Sequence, residues 1–368
     1  MGDYAGVLRR GEGVPPGATY LPVAPGTTMW GRLPCQADAP VMTVAPGTTV
    51  VVDTLSHEGL LPDQGSDPAA FFARHGVSAD AVLAEGVEFA ARGGRDAEHD
   101  GPHVVTGPIA VTGARPGDLL AIDILDLTPR VPYGVISNRH GRGALPGELP
   151  AGEGNVSVFT RIGQDADGQW RGWLPAREGG PDVAGFPLAP FLGIMGVATA
   201  TDERLHSVRP GPHGGNLDVK ELVAGTRVYL PVQVPDALVY LGDPHFAQGD
   251  GEVALTALEA SLRATVRLDV VPQREALRAF GELAGPLGES SEFLFPTGMH
   301  EDLDEAMRAC VRQSLSILNA RYGMDGHLAY AYLSAATDFR ISQVVDLVQG
   351  VHAAIRISDF EAIPRERS

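Results

Sequence analysis

Twice in the first 127 residues an apolar strand runs into a Pro-Gly turn and out into a second apolar strand, as VMTVAPGTTVVVDT and as PIAVTGARPGDLLAIDILDL. Each arm is too short for a helix and is bounded by turn residues, which is the signature of β-strands. In the second unit Leu120, Ile122 and Ile124 share one face, the period of two that a pleated strand imposes. A chain written this way folds by pairing short strands. Its 46 glycines and 29 prolines, against 6% aromatic residues, extend that reading to the whole chain and argue against a helical bundle. NVSVFTRIGQDADGQWRGWLP reads as a hairpin with Asp167-Gly168 in a type I′ turn. Its DADG lacks the remaining oxygen ligands of a calcium loop.

Further buried strands are expected at 193–200, 226–234 and 237–241, and 253–270 alternates at Ala264, Val266, Leu268 and Val270. Residues 66–93 are expected to form one or two short helices, and 130–155, with its SNRHGRG, a long loop; both are placed near the opening of a site. The tail changes period. From Asp302 to Arg321, Leu303, Met307, Cys310, Val311, Leu315 and Leu318 recur at helical spacing, and Gly323 can end the helix. A second helix (HLAYAYLSAAT) and two strands (RISQVVDL, VHAAIRI) follow. The expected division is a β-rich catalytic region over 1–270 and a C-terminal α/β section over 271–368 packing on the same core, within the one or two domains that 368 residues support.

A formal charge of −18 spread along the chain excludes a nucleic-acid or anionic-membrane partner, since either needs a basic face. No run is long and apolar enough to span a bilayer, and MGDYAGVLRRGEG lacks the apolar centre of a signal peptide. Two cysteines, Cys35 and Cys310, make no disulfide framework. These features set a cytoplasmic protein as the expectation. Lys220 is the sole lysine, arginine supplying every other basic side chain.

Two polar motifs stand out: GPHGGNLDVKEL at 211–222 and GDPHFAQGDGE at 242–252. The second follows VYLPVQVPDALVYL, a run that wants burial, so its aspartates, histidine, glutamine and glutamate need a reason. Between the motifs, TRVYLPVQV and ALVYL have the length of two strands joined by Pro235-Asp236. Paired antiparallel, they bring His213, Asn216 and Asp218 beside Asp243, His245, Asp250 and Glu252. Carboxylates and imidazoles gathered at a strand end suit zinc or manganese. Asp243 and His245, two apart, point to one face of an extended segment. Gly242, Gly249 and Gly251 allow sharp turns and close approach. Gly-Asp-Gly is also an ordinary turn, and any one of these residues alone could be structural.

HGGNLD followed by GDPHFAQGDGEV resembles the acetamidase/formamidase family, whose members hydrolyse short amides to a carboxylate and ammonia. TGPIAVTGARPGDLLAIDILDL looks like that family's TGP…GA-PGD strand pair, and LDEAMRACVRQSLSIL, AYAYLSAATDFRISQVVD and GVHAAIRI look like its C-terminal helix, helix and strand. The likeness runs from about Pro40 onward and fits least over 58–100 and 130–190. It implies a β-sandwich-like, mainly β fold with a C-terminal α/β section, divalent metal binding and a homodimer or larger homo-oligomer.

Amide hydrolysis needs an activated nucleophile and a stabilised oxyanion. Cys310 reads as core, Cys35 lies outside every polar motif, and GESSEF is a poor frame for a serine nucleophile. A metal-activated water remains, with zinc expected first and calcium or manganese as alternatives. Asp243 and His245, with His213 or Asp218, are the expected ligands. Glu252 is the expected general base and then acid. Asn216 is expected to donate to the amide oxygen, and Lys220 to support the oxyanion or pair with a carboxylate. His103, Gln248 and Asp250 are expected to touch substrate or brace the ligands. Asp53 and His57 are further candidates by the same strand-end logic. The alternatives are a larger amide, a carbamate or a cyclic imide on the same scaffold, or a binding protein without catalysis.

Overall fold

The computed structural model describes residues 6–363. The first five residues, where the stretch read for a signal peptide begins, and the last five lie outside the described residues. Among the described residues two sheets carry all of the strands. One has the order Thr19–Leu21, Thr48–Asp53, Leu262–Val271, Leu119–Pro129, Arg227–Pro231, Leu287–Glu289, Phe293–His300, Gln349–Arg356, Asp338–Gln343. The other has the order Asp182–Pro187, Trp170–Pro175, Asn155–Gln164, Tyr133–Arg139, Leu258–Glu259, Val239–Ala247, Phe191–Val197, Gly214–Asn216. Val104–Val111 adds to Val239–Ala247 in that sheet and itself carries Thr28–Trp30 and Met42–Val44. One apolar cluster takes Val50, Ile122 and Val266 from the first sheet and Phe191, Val239 and Leu241 from the second, so the sheets pack face to face. This is the mainly β fold expected.

The Pro-Gly units do something other than close hairpins. Met42–Val44 pairs in one sheet while Thr48–Asp53 pairs in the other, and Val104–Val111 and Leu119–Pro129 are split the same way. The third turn corrects an expectation outright. Arg227–Pro231 pairs with Leu119–Pro129 and Leu287–Glu289, whereas Val239–Ala247 pairs with Phe191–Val197, so the two strands are not partners. All three turns are corners that carry the chain from sheet to sheet. At the third, Asp236, Ala237 and Leu238 all take positive φ (59°, 61°, 56°), a bend sharp enough for a crossing. The last two corners also bond each other, Val111 N to Asp236 O and Asp236 N to Ala114 O, both at 2.8 Å.

The chain after 271 extends the first sheet and covers it with helices. Leu303–Tyr322 is capped by Asp302, whose side chain accepts from Glu305 N, and ends at Gly323 in the left-handed conformation. It packs so closely on Phe293–His300 that a Cβ on Gly298 would lie 2.2 Å from Ala306 O. Cys310 is fully buried there, burial pushing its thiol up to about 12, as a core residue should behave. The expected short helices are Pro68–Ala73 and Ala84–Arg92. Residues 130–155 are less irregular than expected, since Tyr133–Arg139 is a strand. Among the positive-φ residues of the 165–169 turn only Gly168 appears (74°), so the turn is not type I′, which needs two. Among the described residues no helix is long and apolar enough to cross a membrane.

Candidate active site

The two polar motifs do meet, by a route the sequence did not suggest. Phe191–Val197 lies between them: Ile194 pairs with Asn216 on one side and with Gly242 on the other. The second motif is itself strand, since Val239–Ala247 runs through GDPHFA. Beneath the junction sits Gly193. A Cβ there would lie 2.5 Å from both Asp218 Oδ1 and Asp243 Oδ2 and 2.8 Å from His245 Cε1. Gly242 leaves similar room for Val104 O, 2.6 Å from where its Cβ would stand. Gly249 has open space and no positive φ. Gly251 does turn at a φ of 93°, and the acids share the unusual backbone: Asp218, Asp243 and Glu252 hold φ of 47°, 50° and 48°, a region non-glycine residues rarely occupy and one that gathers at functional sites.

At the centre His245 is fully buried, with Nε2 3.0 Å from Glu259 Oε1 and 3.2 Å from Asp243 Oδ2, and Nδ1 3.8 Å from Asp218 Oδ1. His57 Nδ1 stands 3.9 Å from both Asp243 Oδ1 and Glu259 Oε2, and His103 Nε2 3.7 Å from Asp243 Oδ1. Yet both ring nitrogens of His57 and of His245, both oxygens of Asp218, Asp243 Oδ1 and Glu259 Oε2 are buried with no hydrogen bond. Each would cost a few kcal/mol in that state without a partner. His245 touches Glu259 and Asp243 directly, whereas His57 and His103 stand farther off and converge with Asp243 on a shared point. Four donor triads result here, His57–His103–Asp243, Asp218–Asp243–His245, His245–Glu252–Glu259 and Asp218–Glu252–Asp346, with atoms within 4.8 Å.

Two imidazoles and a carboxylate are a catalytic zinc donor set when one position stays open. Only the first triad has all three members lining a cavity of about 300 Å³, whose wall also includes Asn216, Glu252, Glu259 and Asp346. Asp218 and His245 lie behind it. Outer contacts hold the triad: His103 Nδ1 lies 3.0 Å from Ser207 Oγ, and His57 Nε2 lies 3.4 Å from Glu58 Oε1. Glu58 is in turn held by Gln64 and by the Ser137 hydroxyl at 2.8 Å.

The charges are driven apart by the site itself. Burial raises Asp243, but His103, His245 and His57 outweigh it and hold its carboxyl well below the usual range. Burial and then Asp243 push Asp218 up to about 7, and burial pushes Glu259 up to about 7. Glu252 is raised well above the ordinary value by burial and by Asp218, and Asp346 likewise. His103 is pushed down to about 4 by burial, the neutral form a ligand needs.

Of the expected site residues, Asp243, His245, Asp218, Glu252, Asn216 and His103 come together. His57, a further candidate only, is central. Five others, His213, Lys220, Asp250, Gln248 and Asp53, stand elsewhere. His213 is buried but folds back over its own turn, its Nε2 2.9 Å from where a Cβ on Gly215 would be, and joins no donor triad. Lys220 Nζ meets Asp250 Oδ1 at 2.9 Å in a part-exposed surface pair outside the cavity wall. Gln248 gives its Nε2 to Asp218 O and Ser342 O, bracing the loop. Asp53 is locked into an ion pair with Arg263 at 2.6 Å and accepts from Tyr20. Two residues escaped sequence reasoning. Glu259 had a signal, a lone acid within the apolar ALTALEASL. Asp346 had none: it lies just past Asp338–Gln343, where it accepts from Asn216 Nδ2 at 2.8 Å.

Fold and site together define a β-rich hydrolytic enzyme built on a buried carboxylate–imidazole centre. The chain belongs to the Acetamidase/Formamidase family, whose model matches residues 90–204 and 196–360, and is an amidohydrolase of that family. It is 26% identical over 311 residues to a formamidase of Methylophilus methylotrophus, covering 69% of this chain and 75% of that one. An acetamidase of Mycolicibacterium smegmatis is 27% identical over 309 residues, covering 66% and 75%. Among solved structures, an acetamidase from Bacillus halodurans superposes with a TM-score of 0.72 at 26% identity, over 94% of this chain and 99% of that one.

Proposed function

We propose that the protein hydrolyses a small linear amide to a carboxylate and ammonia with a divalent metal held by His57, His103 and Asp243. The observation that carries this reading is the set of buried, unbonded nitrogens and oxygens converging beside the cavity. Asp218, His245 and Glu259 brace Asp243 from behind or offer a second ion the neighbouring triads. Zinc fits this mixture of imidazole and carboxylate best. When bound, such an ion lowers the pKa of a coordinated water to about 7 and polarises the amide carbonyl.

The remaining steps belong to side chains. Glu252, on the cavity wall with its proton affinity raised by burial, takes the proton of the attacking water and returns it to the leaving ammonia. Asn216 gives one N–H of its amide to Asp346, leaving the other for the amide oxygen as charge develops there. Neither cysteine lines the cavity, which supports a water nucleophile over a thiol. A homodimer or larger assembly is part of the same reading.

The test is ammonia release from formamide, acetamide and propionamide by purified protein of known metal content. Release that chelation abolishes and zinc restores is the expected result. Folded, zinc-loaded protein that releases none would overturn the reading. A larger amide is a second reading, favoured by a cavity equal to about ten liquid waters in volume.

A further inference from the structure

The outer wall of the cavity differs in charge from its floor. The floor is acidic and imidazole-lined, whereas the wall sets Arg95, Arg139 and Arg142 among Asp63, Glu98 and Asp100. Arg139 ends the Tyr133–Arg139 strand, and Arg142 follows in a turn closed by Arg142 N donating to Arg139 O at 3.0 Å. Arg95 arrives after the Ala84–Arg92 helix.

The acids beside these arginines leave them incompletely matched. Asp63 accepts from Arg139 Nε at 2.6 Å, but Arg139 NH2 is buried with no hydrogen bond. Asp100 is spent on Arg32 Nε at 2.6 Å and on Asp96 N. Arg95 reaches only backbone oxygens, of Gly101 and Asp100. The Arg142 guanidinium has no ion pair or hydrogen bond among the described residues and stands exposed, as does the carboxylate of Glu98. His206, also on this wall, is pushed down by burial and by Arg32, so it stays neutral. Arg142, with no carboxylate partner, and Arg139, with one terminal nitrogen still unbonded beside its Asp63 pair, offer the N–H groups that capture of a carboxylate requires.

We propose that Arg139 and Arg142 form an anion subsite, so that the amide hydrolysed at the floor carries a carboxylate at its other end. This rests on the amidase reading and names its substrate class: a short-chain monoamide of a dicarboxylic acid. The cavity volume, several times that of acetamide, accommodates the intervening methylenes.

The test compares kcat/KM for succinamate and glutaramate with that for butyramide and valeramide, neutral amides of similar size, in wild type, Arg142→Gln and Arg142→Lys. Wild type is expected to favour the carboxylated amides at least tenfold. That preference should fall about tenfold in Arg142→Gln, recover in part in Arg142→Lys, and weaken with added salt. Neutral amides hydrolysed as fast as carboxylated ones would overturn the subsite and leave the amidase reading standing. If no amide is turned over, the amidase reading fails, and calorimetry with glutarate and butyrate still decides the subsite. Binding of glutarate that Arg142→Gln loses upholds it; equal or absent binding of the two overturns it.

Discussion

Single side chains decide whether this centre works. Glu252 is buried beside Asp218 and faces the cavity, the placement on which its proposed role in proton transfer rests. Glu252→Gln is expected to keep its bound metal, measured by atomic emission, while ammonia release falls roughly 10²–10⁴-fold; normal turnover would remove the assignment. Gly193 acts by absence. In Gly193→Ala the new methyl would enter the space between Asp218 and Asp243, 2.5 Å from an oxygen of each. Metal content and activity should both collapse, and an unaffected variant would show that the cluster tolerates displacement. Lys220 is the contrasting case. Its pair with Asp250 is part-exposed and worth at most about 1 kcal/mol. Lys220→Met should stay within about twofold of wild type in kcat/KM, and a large loss would return it to the reacting centre.

At the scale of elements, the C-terminal strands are tied to the loop at the end of the first motif. Glu221 accepts from Arg340 NH1 at 2.8 Å and lies 3.0 Å from His352 Nε2, joining that loop to Asp338–Gln343 and Gln349–Arg356. Burial raises Glu221, but His352 and Arg340 outweigh it and hold its pKa at about 2. A depressed folded-state pKa means the contribution is complete above the unfolded value of about 4.5 and is lost as pH falls toward 2. The size is on the order of 2 kcal/mol. Urea unfolding between pH 7 and 3 should therefore show the gap between wild type and Glu221→Gln narrowing as pH falls. A gap that widens there would contradict the assigned charge state.

For the molecule as a whole, the site lies where both sheets and the C-terminal section contribute side chains. Buried groups without hydrogen bonds weaken the fold unless something binds them, so ligand and stability are linked. Removing metal with a chelator is expected to lower Tm by about 5 °C or more, with zinc restoring it. An unchanged Tm would mean that the buried donors are satisfied without an ion. The three corners make this convergence possible. Because Pro46-Gly47, Pro116-Gly117 and Pro235-Asp236 each carry the chain across, Asp53 and Asp243 stand in different layers although both follow apolar runs.

The sequence by itself determined the elements and the polar inventory. Period-two apolar runs became strands, and the Asp302 and Gly323 caps bounded a helix. HGGNLD and GDPHFAQGDGE held five of the centre's residues, Asn216, Asp218, Asp243, His245 and Glu252. These signals are local, set by backbone sterics and by the pairing of neighbouring residues. Tertiary structure decided which strand lies beside which, and so which polar residues share a point. Pairing partners separated by dozens of residues leave no mark in a single sequence. Hence His57, Glu259 and Asp346 join the site while His213 and Lys220, inside the first motif, do not. The intervening strand that unites the motifs, with glycine where a methyl would not fit, is a property of the folded sheet alone.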